Sequence, residues 1–293
     1  MITREEEAYV LTKAYVPEHI VSLMTLISKG DPFLIEDHLG FVKDNWLILV
    51  GYPLEGNFSQ ERCERILKQA VDLFRPEVLW FIGPAPPSSL LNVCTERQTD
   101  QYYTLDIEQT PINPSLQRTA SKASEKLIVE RGRSMDKEHE ALISELLERE
   151  KLPDRVRELY RAMPGYVGRS SSAWMLNARD KTGRLCAFMV VELGAKNFSA
   201  YILGSHSKKH YVPHASDCLF LEMIHLTREH GKSSINLGLG VNEGIQRFKK
   251  KWCGQPFLRY EFCERHYGAA RKVSLIDALM GKLSYAKSFM RNQ

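Results

Sequence analysis

The hydrophobic residues of the first hundred positions fall into two spacings, one typical of strands and one typical of helices. Short apolar runs predict strands at 9–13, 33–36, 46–52 and 78–82. Apolar residues at helical spacing follow Ser59, a favourable N-cap, and predict a helix that Pro76 ends. Another helix is predicted at 18–28, where Pro17 suits the first turn. The predicted order is therefore strand, helix, strands, helix, strand.

The rest of the chain has the same predicted order, with more helices at its beginning. Strands are predicted at 102–107, 127–130, 173–178, 185–193, 198–203, 234–237 and 258–263. Helices are predicted at 115–126, 137–149, 153–163, 214–230 and 243–252. This pattern indicates a mixed α/β (α+β) fold class, in which each half is a mostly antiparallel sheet flanked by helices. No residue-level repeat accompanies the repeated order, so the duplication rests on element order alone.

A linker and a charge asymmetry divide the chain into three segments. Residues 110–114, Thr-Pro-Ile-Asn-Pro, form the best linker, since prolines and asparagine interrupt helices and strands. It separates an N-terminal half, 1–107, from a C-terminal half, 115–264. Residues 265–293 form a basic amphipathic tail with six Lys or Arg and one acid. The tail suits contact with an anionic membrane, contact with RNA, or packing on the protein itself.

Composition excludes several classes of protein. The 293 residues are 43% hydrophobic, which is too apolar for a wholly disordered chain. The net charge is +4, and the tail alone contributes +5, so the body is nearly neutral, unlike a protein that binds nucleic acid over its whole surface.

The chain also lacks the sequence signs of a membrane or secreted protein. No apolar run approaches the roughly 20 residues of a membrane-spanning helix, and the acidic start lacks the apolar segment of a secretory signal. None of the six cysteines forms a C-x-x-C pair. We therefore expect a cytoplasmic protein with reduced, mostly buried thiols and no zinc ribbon.

The segment 198–254 carries the most specific pattern in the sequence. A strand and a long helix precede Asn236-Leu-Gly-Leu-Gly240, and a further helix contains Gly244-Ile245 and Phe248-Lys249 before Trp252-Cys-Gly254. This pattern resembles the catalytic half of FemAB-like transferases, and phosphatidylglycerol lysyltransferase-like proteins are similar in the same places. Both belong to the GNAT acyltransferase superfamily. The resemblance implies two such folds in tandem, although the first half agrees only in element order.

The resemblance implies a transferase that moves an activated acyl or aminoacyl group to an amine. It implies that Lys249 stabilises the developing negative charge, and that a substrate group can accept the proton without a dedicated base. From the residues alone, Lys249 lies in a run of four cations at 247–251, of which only one or two can face a cleft. No bound cofactor is expected. The acyl donor is a co-substrate: an aminoacyl-tRNA, a carrier-protein thioester or an acyl-CoA.

The strands around the long helix offer a physical reason for this chemistry. Strands 198–203 and 234–237, joined by one helix, have the spacing of adjacent parallel strands. Where such strands part, unpaired backbone N–H groups can bind the oxyanion of acyl transfer. The donor site is therefore assigned to Leu203, Gly204, Ser205, Lys208, Lys209, Asn236, Gly238, Gly240, Asn242 and Phe248. The glycines equally suit strand ends and turns.

The loop before the long helix departs from the pattern of acyl-CoA enzymes. In those enzymes a glycine-containing loop binds the CoA pyrophosphate through its amides. Residues 208–215 contain no glycine, although Lys208 and Lys209 leave binding of an anion by side chains open. The departure favours a donor other than acetyl-CoA without excluding CoA.

Three histidines and several aromatic residues are further candidates. His206, His210 and His214 recur at every fourth residue, but Pro213 argues against a continuous helix, so no metal site is expected. His206 is the candidate catalytic base of the three. Weaker base candidates are Glu192, Asp217 and Glu243. The acceptor cleft is assigned to Trp174, Glu192, Tyr201 and Trp252, although such aromatic residues equally suit a core.

Three hypotheses about function follow. The first is a FemAB-like acyltransferase with an amine-bearing small molecule or peptide as acceptor, and with tRNA or a carrier protein as a further partner. The second is an acyl-CoA-dependent N-acetyltransferase with an altered loop. The third is a non-catalytic GNAT-like module that binds RNA or membrane through its basic tail. The sequence leaves the oligomeric state open.

Overall fold

The computed structural model describes residues 2–152 and 154–267. The helices of its first part are α1 (Arg4–Lys13), a 3₁₀ turn (Pro17–His19), α2 (Val21–Ser28), α3 (Gln60–Phe74) and α4 (Ser88–Leu91). The strands of this part are β1 (Asp31–Ile35), β2 (His38–Lys43), β3 (Trp46–Val50), β4 (Val78–Gly83) and β5 (Glu96–Asp106).

The second part begins after the linker and is richer in helix. Its helices are α5 (Pro114–Ser124), α6 (Lys137–Arg149), α7 (Asp154–Val167), α8 (Ala215–Glu229) and α9 (Glu243–Lys251). Its strands are β6 (Leu127–Gly132), β7 (Ala173–Asp180), β8 (Leu185–Glu192), β9 (Phe198–His206), β10 (Ser234–Leu239) and β11 (Gln255–His266).

All eleven of these strands form one sheet, in the order β1-β2-β3-β4-β11-β5-β10-β9-β8-β7-β6. The pairs β3–β4 and β9–β10 are parallel and the other pairs are antiparallel. Each parallel pair is joined by one helix, α3 or α8. The predicted mixed α/β fold with a mostly antiparallel sheet is confirmed.

The last strand of each part, β5 or β11, pairs with a strand of the other part. β11 lies between β4 and β5, and β5 pairs with β10 on its other side. The predicted boundary between 107 and 115 falls in the connection from β5 to α5, but the sheet continues across it. The linker therefore separates the halves along the chain and not in space.

Cys94 and Cys263 form a disulfide across 169 residues, which joins β11 to the segment before β5. The expectation of six reduced thiols is wrong for this pair, because the strand exchange brings together two cysteines that are distant in sequence. Cys63, Cys186, Cys218 and Cys253 are free, and the first three are buried as expected.

Helices cover both faces of the sheet. On one face α3 packs Cys63, Ile66, Leu67 and Ala70 against the strands of the first part. On the same side of the second part α8 buries the predicted stripe of Leu219, Phe220, Met223, Ile224 and Thr227. The other face of the second part is covered by α6 and α7, and Ile20 and Leu23 of the first part join that core.

The predicted strand at 9–13 is wrong, because this segment lies in helix α1. Thr3 caps the helix by accepting a hydrogen bond from the Glu6 amide, and the Glu6 side chain accepts one from the Thr3 amide. Three successive glutamates in the first turn also suit the positive end of the helix dipole. These start signals outweigh the short apolar alternation at 9–13.

The amphipathic tail predicted at 265–293 lies outside the described residues from Gly268 onward, as does Pro153, the predicted start of α7. Residues 265 and 266 form the end of β11. Across residues 2–152 and 154–267, no helix combines the length and the apolar character that a membrane crossing requires.

Candidate functional site

The parallel strands β9 and β10 separate partway along their length. Three residue pairs join them, Ser234 with Phe198, Ile235 with Ser199 and Asn236 with Ala200. β9 continues to His206 and β10 to Leu239, but no further pair joins the two strands. The expected opening near residues 203 and 236 is therefore present.

The corresponding strands of the first part stay together. β3 and β4 are paired over five residues, from Trp46 with Val78 to Val50 with Ile82. The pairing extends further, since the Gly51 amide donates to the Ile82 carbonyl over 2.6 Å. The two strand–helix–strand units therefore differ, and the opening belongs to the second one.

The side chain of Lys249 enters the opening from helix α9. Lys249 is 4% exposed, whereas Arg247, Lys250 and Lys251 of the same run are exposed. Its Nζ donates to the Leu239 carbonyl at the end of β10 and lies 5.5 Å from the centre of the Tyr103 ring. Burial lowers the pKa of Lys249 to about 7, against the opposing effect of Asp100. A cation in this position can meet negative charge that develops within the opening.

The glycines at the strand ends are required by geometry. Gly238 has φ +72°, which places it in the left-handed region. A Cβ on Gly240 would lie 2.8 Å from Asp100 Oδ1, and one on Gly204 would lie 2.9 Å from the Phe188 carbonyl oxygen. A side chain at 204 would therefore displace backbone, and one at 240 would displace the Asp100 carboxylate.

Asn236 supplies a free donor where the strands part. It is 3% exposed, and its Oδ1 accepts a hydrogen bond of 2.9 Å from the Gly238 amide. Its Nδ2 is buried and has no hydrogen-bond partner in the described part of the chain. Because leaving a buried donor unpaired is costly, this amide group is suited to a carbonyl or oxyanion of a ligand.

Three of the assigned donor-site residues instead support the site from the core. Leu203 is buried among α6 and α7. Ser205 is also buried, and its hydroxyl donates to the Leu142 carbonyl over 3.3 Å. Phe248 packs against Phe220 with 5.6 Å between ring centres. These contacts tie the three residues to the core, and their assignment to donor contact stays a prediction.

Asn242 and the loop lysines also differ from the assignment. Asn242 is the N-cap of α9, and its Oδ1 accepts from the Ile245 amide over 3.0 Å. Asn242 therefore fixes the start of the helix that carries Lys249. Lys208 and Lys209 are exposed on the loop between β9 and α8, and no described contact joins them to the opening.

A carboxylate from α6 occupies the loop before α8. Glu145 accepts hydrogen bonds from the Lys208 amide, over 2.5 Å, and from the Ser207 hydroxyl, over 3.1 Å. Although burial alone would raise the pKa of Glu145, these bonds lower it below its usual range. The protein thus places a carboxylate of its own against the loop between β9 and α8.

The histidines do not form a common site. His206 is half-buried at the end of β9, and burial lowers its pKa. Its ring lies edge-on to Tyr211, 6.0 Å away, and no described contact joins it to Lys249. His214 lies within 2.9 Å of Asp217. In residues 2–152 and 154–267, no group of three or more metal-binding side chains is found.

Of the residues assigned to the acceptor cleft, Tyr201 lies at the opening. It follows Ala200, the last residue of β9 that pairs with β10, and its carbonyl oxygen lies 3.6 Å from the position of a Cβ on Gly238. Tyr201 therefore borders the gap from β9, as Gly238 does from β10. Burial raises the pKa of its phenol, which stays protonated.

The structure places the other three elsewhere. The guanidinium carbon of Arg133 lies 3.7 Å from the centre of the Trp174 ring. Trp252 is buried against Phe220, and its Nε1 donates a hydrogen bond to Asp217 Oδ1. Glu192 is fully buried and accepts from the Tyr166 hydroxyl and the Gly194 amide. Each is engaged in packing or in an internal hydrogen bond, and their assignment to an acceptor cleft stays a prediction.

A cleft lies between α6 and α7. It has a volume of about 370 Å³ and is lined by residues that include Glu140, Ser144, Arg157 and Tyr160. The hydroxyl of Tyr160, one of the lining residues, donates to the Gly204 carbonyl of β9 over 3.0 Å. Burial raises the pKa of Tyr160 to about 12.

Sequence reasoning missed this cleft. It also missed Asp100 and Tyr103, the two residues of β5 that lie near Lys249. Both precede Lys249 by more than a hundred positions, and no sequence pattern links them to it. Pairing of β5 with β10 brings them together, so only the strand order of the sheet could have revealed them.

No protein-family profile matches the sequence, and no curated protein is significantly similar to it. Solved structures do resemble the fold. L-PGS from Bacillus licheniformis has a TM-score of 0.56 at 15% identity, over 95% of this chain and 96% of that chain. FemX has a TM-score of 0.59 at 11% identity, over 89% of this chain and 96% of that chain.

A tandem GNAT protein from the clavulanic acid biosynthesis pathway has a TM-score of 0.51 at 15% identity, over 80% of this chain and 79% of that chain. At these identities the similarity concerns the fold. It confirms the GNAT-type fold that the segment 198–254 predicts, and it places FemX and L-PGS among the structures that share it.

Proposed function

We propose that the chain transfers an aminoacyl group from an activated ester to an amine, at the opening between β9 and β10. The observation that carries the proposal is the buried ammonium group of Lys249 beside strands that part after Asn236. An open strand pair and a desolvated cation are the two features that stabilisation of an oxyanion needs. The GNAT-type fold supports the same reaction class at the level of the fold.

The reaction requires charge stabilisation more than a dedicated base. The amine nitrogen attacks the carbonyl carbon of the ester, and the N–C bond forms as an electron pair moves to the carbonyl oxygen. Collapse of this tetrahedral intermediate returns the pair and breaks the bond to the leaving oxygen. The proton released by the amine passes to that oxygen, so no proton is left over.

Two groups of the chain are suited to the oxyanion. The ammonium of Lys249 supplies charge, and the unpaired Asn236 Nδ2 supplies a neutral donor. In a dry site such donors act more strongly than in water, because little solvent competes or screens. Glycines at 238 and 240 keep side chains out of this turn, which lets a ligand approach its backbone.

The donor that fits best has no diphosphate at the loop before α8. Glu145 already accepts from the Lys208 amide and the Ser207 hydroxyl there, and it would repel a second anion. An aminoacyl ester of tRNA meets this condition, since its phosphates lie beyond the ribose that carries the ester. A carrier-protein thioester remains an alternative donor, and the acyl-CoA hypothesis is disfavoured by the same contact.

The cleft between α6 and α7 is suited to the acceptor. The hydroxyl of Tyr160, one of its lining residues, donates to the Gly204 carbonyl beside the gap, and the lining carries two carboxylates, Glu140 and Glu148, and two guanidinium groups, Arg157 and Arg161. This mixed lining suits an acceptor that carries both an amine and an acidic group. The acceptor is therefore expected to approach β9 from this side.

The proposal is tested with tRNA charged with radiolabelled amino acids and a panel of small-molecule and peptide amines. The rate of amide formation is measured for the wild type, for Lys249→Ala and for Lys250→Ala. We expect Lys249→Ala to lower the rate roughly 10²–10³-fold, as the loss of an oxyanion donor does. Lys250→Ala is the matched control, because it removes a neighbouring exposed cation from the same helix.

An unchanged rate in Lys249→Ala would remove Lys249 from the mechanism. A parallel reaction with acetyl-CoA separates the donor classes. Transfer from acetyl-CoA together with none from aminoacyl-tRNA would contradict the assigned donor.

A further inference from the structure

Asp100 connects the first half of the chain to the site of Lys249. It lies on β5, and its two carboxylate oxygens accept hydrogen bonds from the turn after β10. Oδ1 accepts from the Gly240 amide over 3.0 Å, and Oδ2 accepts from the Val241 amide over 2.9 Å. Oδ1 also accepts from the Gln101 amide over 2.7 Å, which holds the carboxylate against its own strand.

The turn that Asp100 contacts, residues 239–242, contains a residue in an unfavourable backbone conformation. Val241 has φ +57° although it is β-branched, and its side chain is exposed. A valine in the left-handed region is disfavoured unless surrounding contacts hold it there. The turn begins with Leu239, whose carbonyl receives the Lys249 ammonium, and ends with Asn242, which caps α9. It therefore sets both the acceptor of the ammonium and the helix that carries it.

Asp100 lies close to Lys249, because both bind the same peptide group: the Lys249 ammonium donates to the Leu239 carbonyl, and Asp100 Oδ1 accepts from the Gly240 amide. The Tyr103 ring of β5 is the other described neighbour of the ammonium. The other cations of α9 are exposed. The carboxylate of Asp100 favours the charged form of Lys249, which burial disfavours.

We propose that Asp100 is a positioning residue, which fixes the turn 239–242 by its two amide contacts and so holds the Leu239 carbonyl against the Lys249 ammonium at the opening. The inference concerns the site of the proposed transferase, but its test needs neither donor nor acceptor. Asp100 touches no reacting atom and acts through the backbone and through Lys249.

The experiment measures the titration of Lys249 by NMR in protein labelled with ¹³Cε-lysine, and the signal is assigned by its loss in Lys249→Met. Asp100→Asn keeps the size of the side chain but removes its charge. We expect the titration midpoint of Lys249 to shift by about one pH unit to lower pH, since the ammonium loses its counter-charge.

Asp106→Asn is the matched control. Asp106 lies on the same strand and likewise accepts from two backbone amides, those of Glu108 and Gln109, over 3.0 and 2.9 Å. It has no described contact with Lys249 or with the turn. A general weakening of β5 would affect both variants, whereas the proposed role predicts a shift in Asp100→Asn alone.

A second variant keeps the inference testable if Asp100→Asn folds poorly. Gly240→Ala places a Cβ 2.8 Å from Asp100 Oδ1 and should push the carboxylate away, with a shift in the same direction. An unchanged Lys249 midpoint in a folded Asp100→Asn or Gly240→Ala protein overturns the inference. If the wild type shows no transfer activity while Asp100→Asn still shifts the Lys249 midpoint, the proposed function is overturned and the role of Asp100 stands.

Discussion

Lys249 shows how burial changes the chemistry of a side chain. A lysine on the surface is charged at every physiological pH, but desolvation brings the pKa of this one to about 7. The same helix carries three exposed cations whose positions in sequence differ by only one or two residues. Helical geometry thus selects one cation of the run, and desolvation makes it sensitive to pH near neutrality.

We expect the rate of transfer to fall as the pH rises through about 7, because the ammonium form of Lys249 is the one that stabilises an oxyanion. Deprotonation of the acceptor amine raises the rate as the pH rises, so the contribution of Lys249 is isolated by comparing the wild type with a variant. In the wild type kcat/KM should show a limb that declines near pH 7, and Lys249→Ala should lack it. A declining limb that persists in Lys249→Ala would assign the titration to another group.

We also expect Lys249→Met to stabilise the fold while it abolishes transfer. The unfolded chain binds the Lys249 proton up to its ordinary pKa of 10.5, whereas the folded state releases it near 7. In the wild type, this group therefore makes stability rise with pH between about 7 and 10.5. Methionine fills the site without a charge, and we expect a gain of about 1 kcal/mol at pH 7 in urea denaturation. A variant less stable than the wild type at pH 7 would contradict this account.

The two strand–helix–strand units share a topology but differ in one property, the length over which their parallel strands pair. β3 and β4 stay paired through Val50 and Ile82, whereas β9 and β10 part after Ala200 and Asn236. A closed pair leaves no free backbone donors for a ligand. The first half accordingly contributes β5, with Asp100 and Tyr103, to the site in the second half.

Glu145 should control which anions the loop before α8 accepts. Glu145→Ala removes the acceptor of the Lys208 amide and the Ser207 hydroxyl. We expect faster hydrogen exchange at 207–210 and a gain of weak CoA binding in calorimetry, because the loop amides lose their internal anion. Glu148→Ala is the control, since it removes a carboxylate from the same helix without a described contact to the loop. CoA binding by the wild type that equals that of Glu145→Ala would contradict the prediction.

Much of the element order could be predicted, because it depends on local spacing. The helix at 137–149 and the apolar stripe of α8 agree with their predicted residues, since burial of one helical face leaves a period that sequence records. The opening followed from the spacing of the strands at 198–203 and 234–237, and the choice of Lys249 among its neighbouring cations followed from a family resemblance at 198–254. The contacts of Trp174, Glu192 and Trp252 could not be predicted, because residue type does not distinguish a cleft wall from a core.

The strand exchange is the feature that local patterns could not indicate. β11 looks like an ordinary closing strand in sequence, yet it inserts between β4 and β5. Its pairing partners and the partner of its cysteine, Cys94, come from the first half. Because pairing between distant strands is decided by the whole sheet, neither the disulfide nor the place of Asp100 is visible in any window of the sequence.

The exchange predicts that the halves remain together when the linker is cut. A protease site inserted after Pro111, which is exposed, allows cleavage of the folded protein between β5 and α5. We expect the two fragments to elute together at the size of the intact chain under reducing conditions, where Cys94 and Cys263 no longer hold them. The reason is that β11 is hydrogen-bonded on both edges, from Glu261 to His266 against β4 and from Gln255 to Glu264 against β5.

Fragment 1–111 made alone should not unfold cooperatively, since β4 and β5 would lack the strand between them. Fragments that separate on cleavage, or a fragment 1–111 as stable as the intact protein, would show that the halves are independent domains.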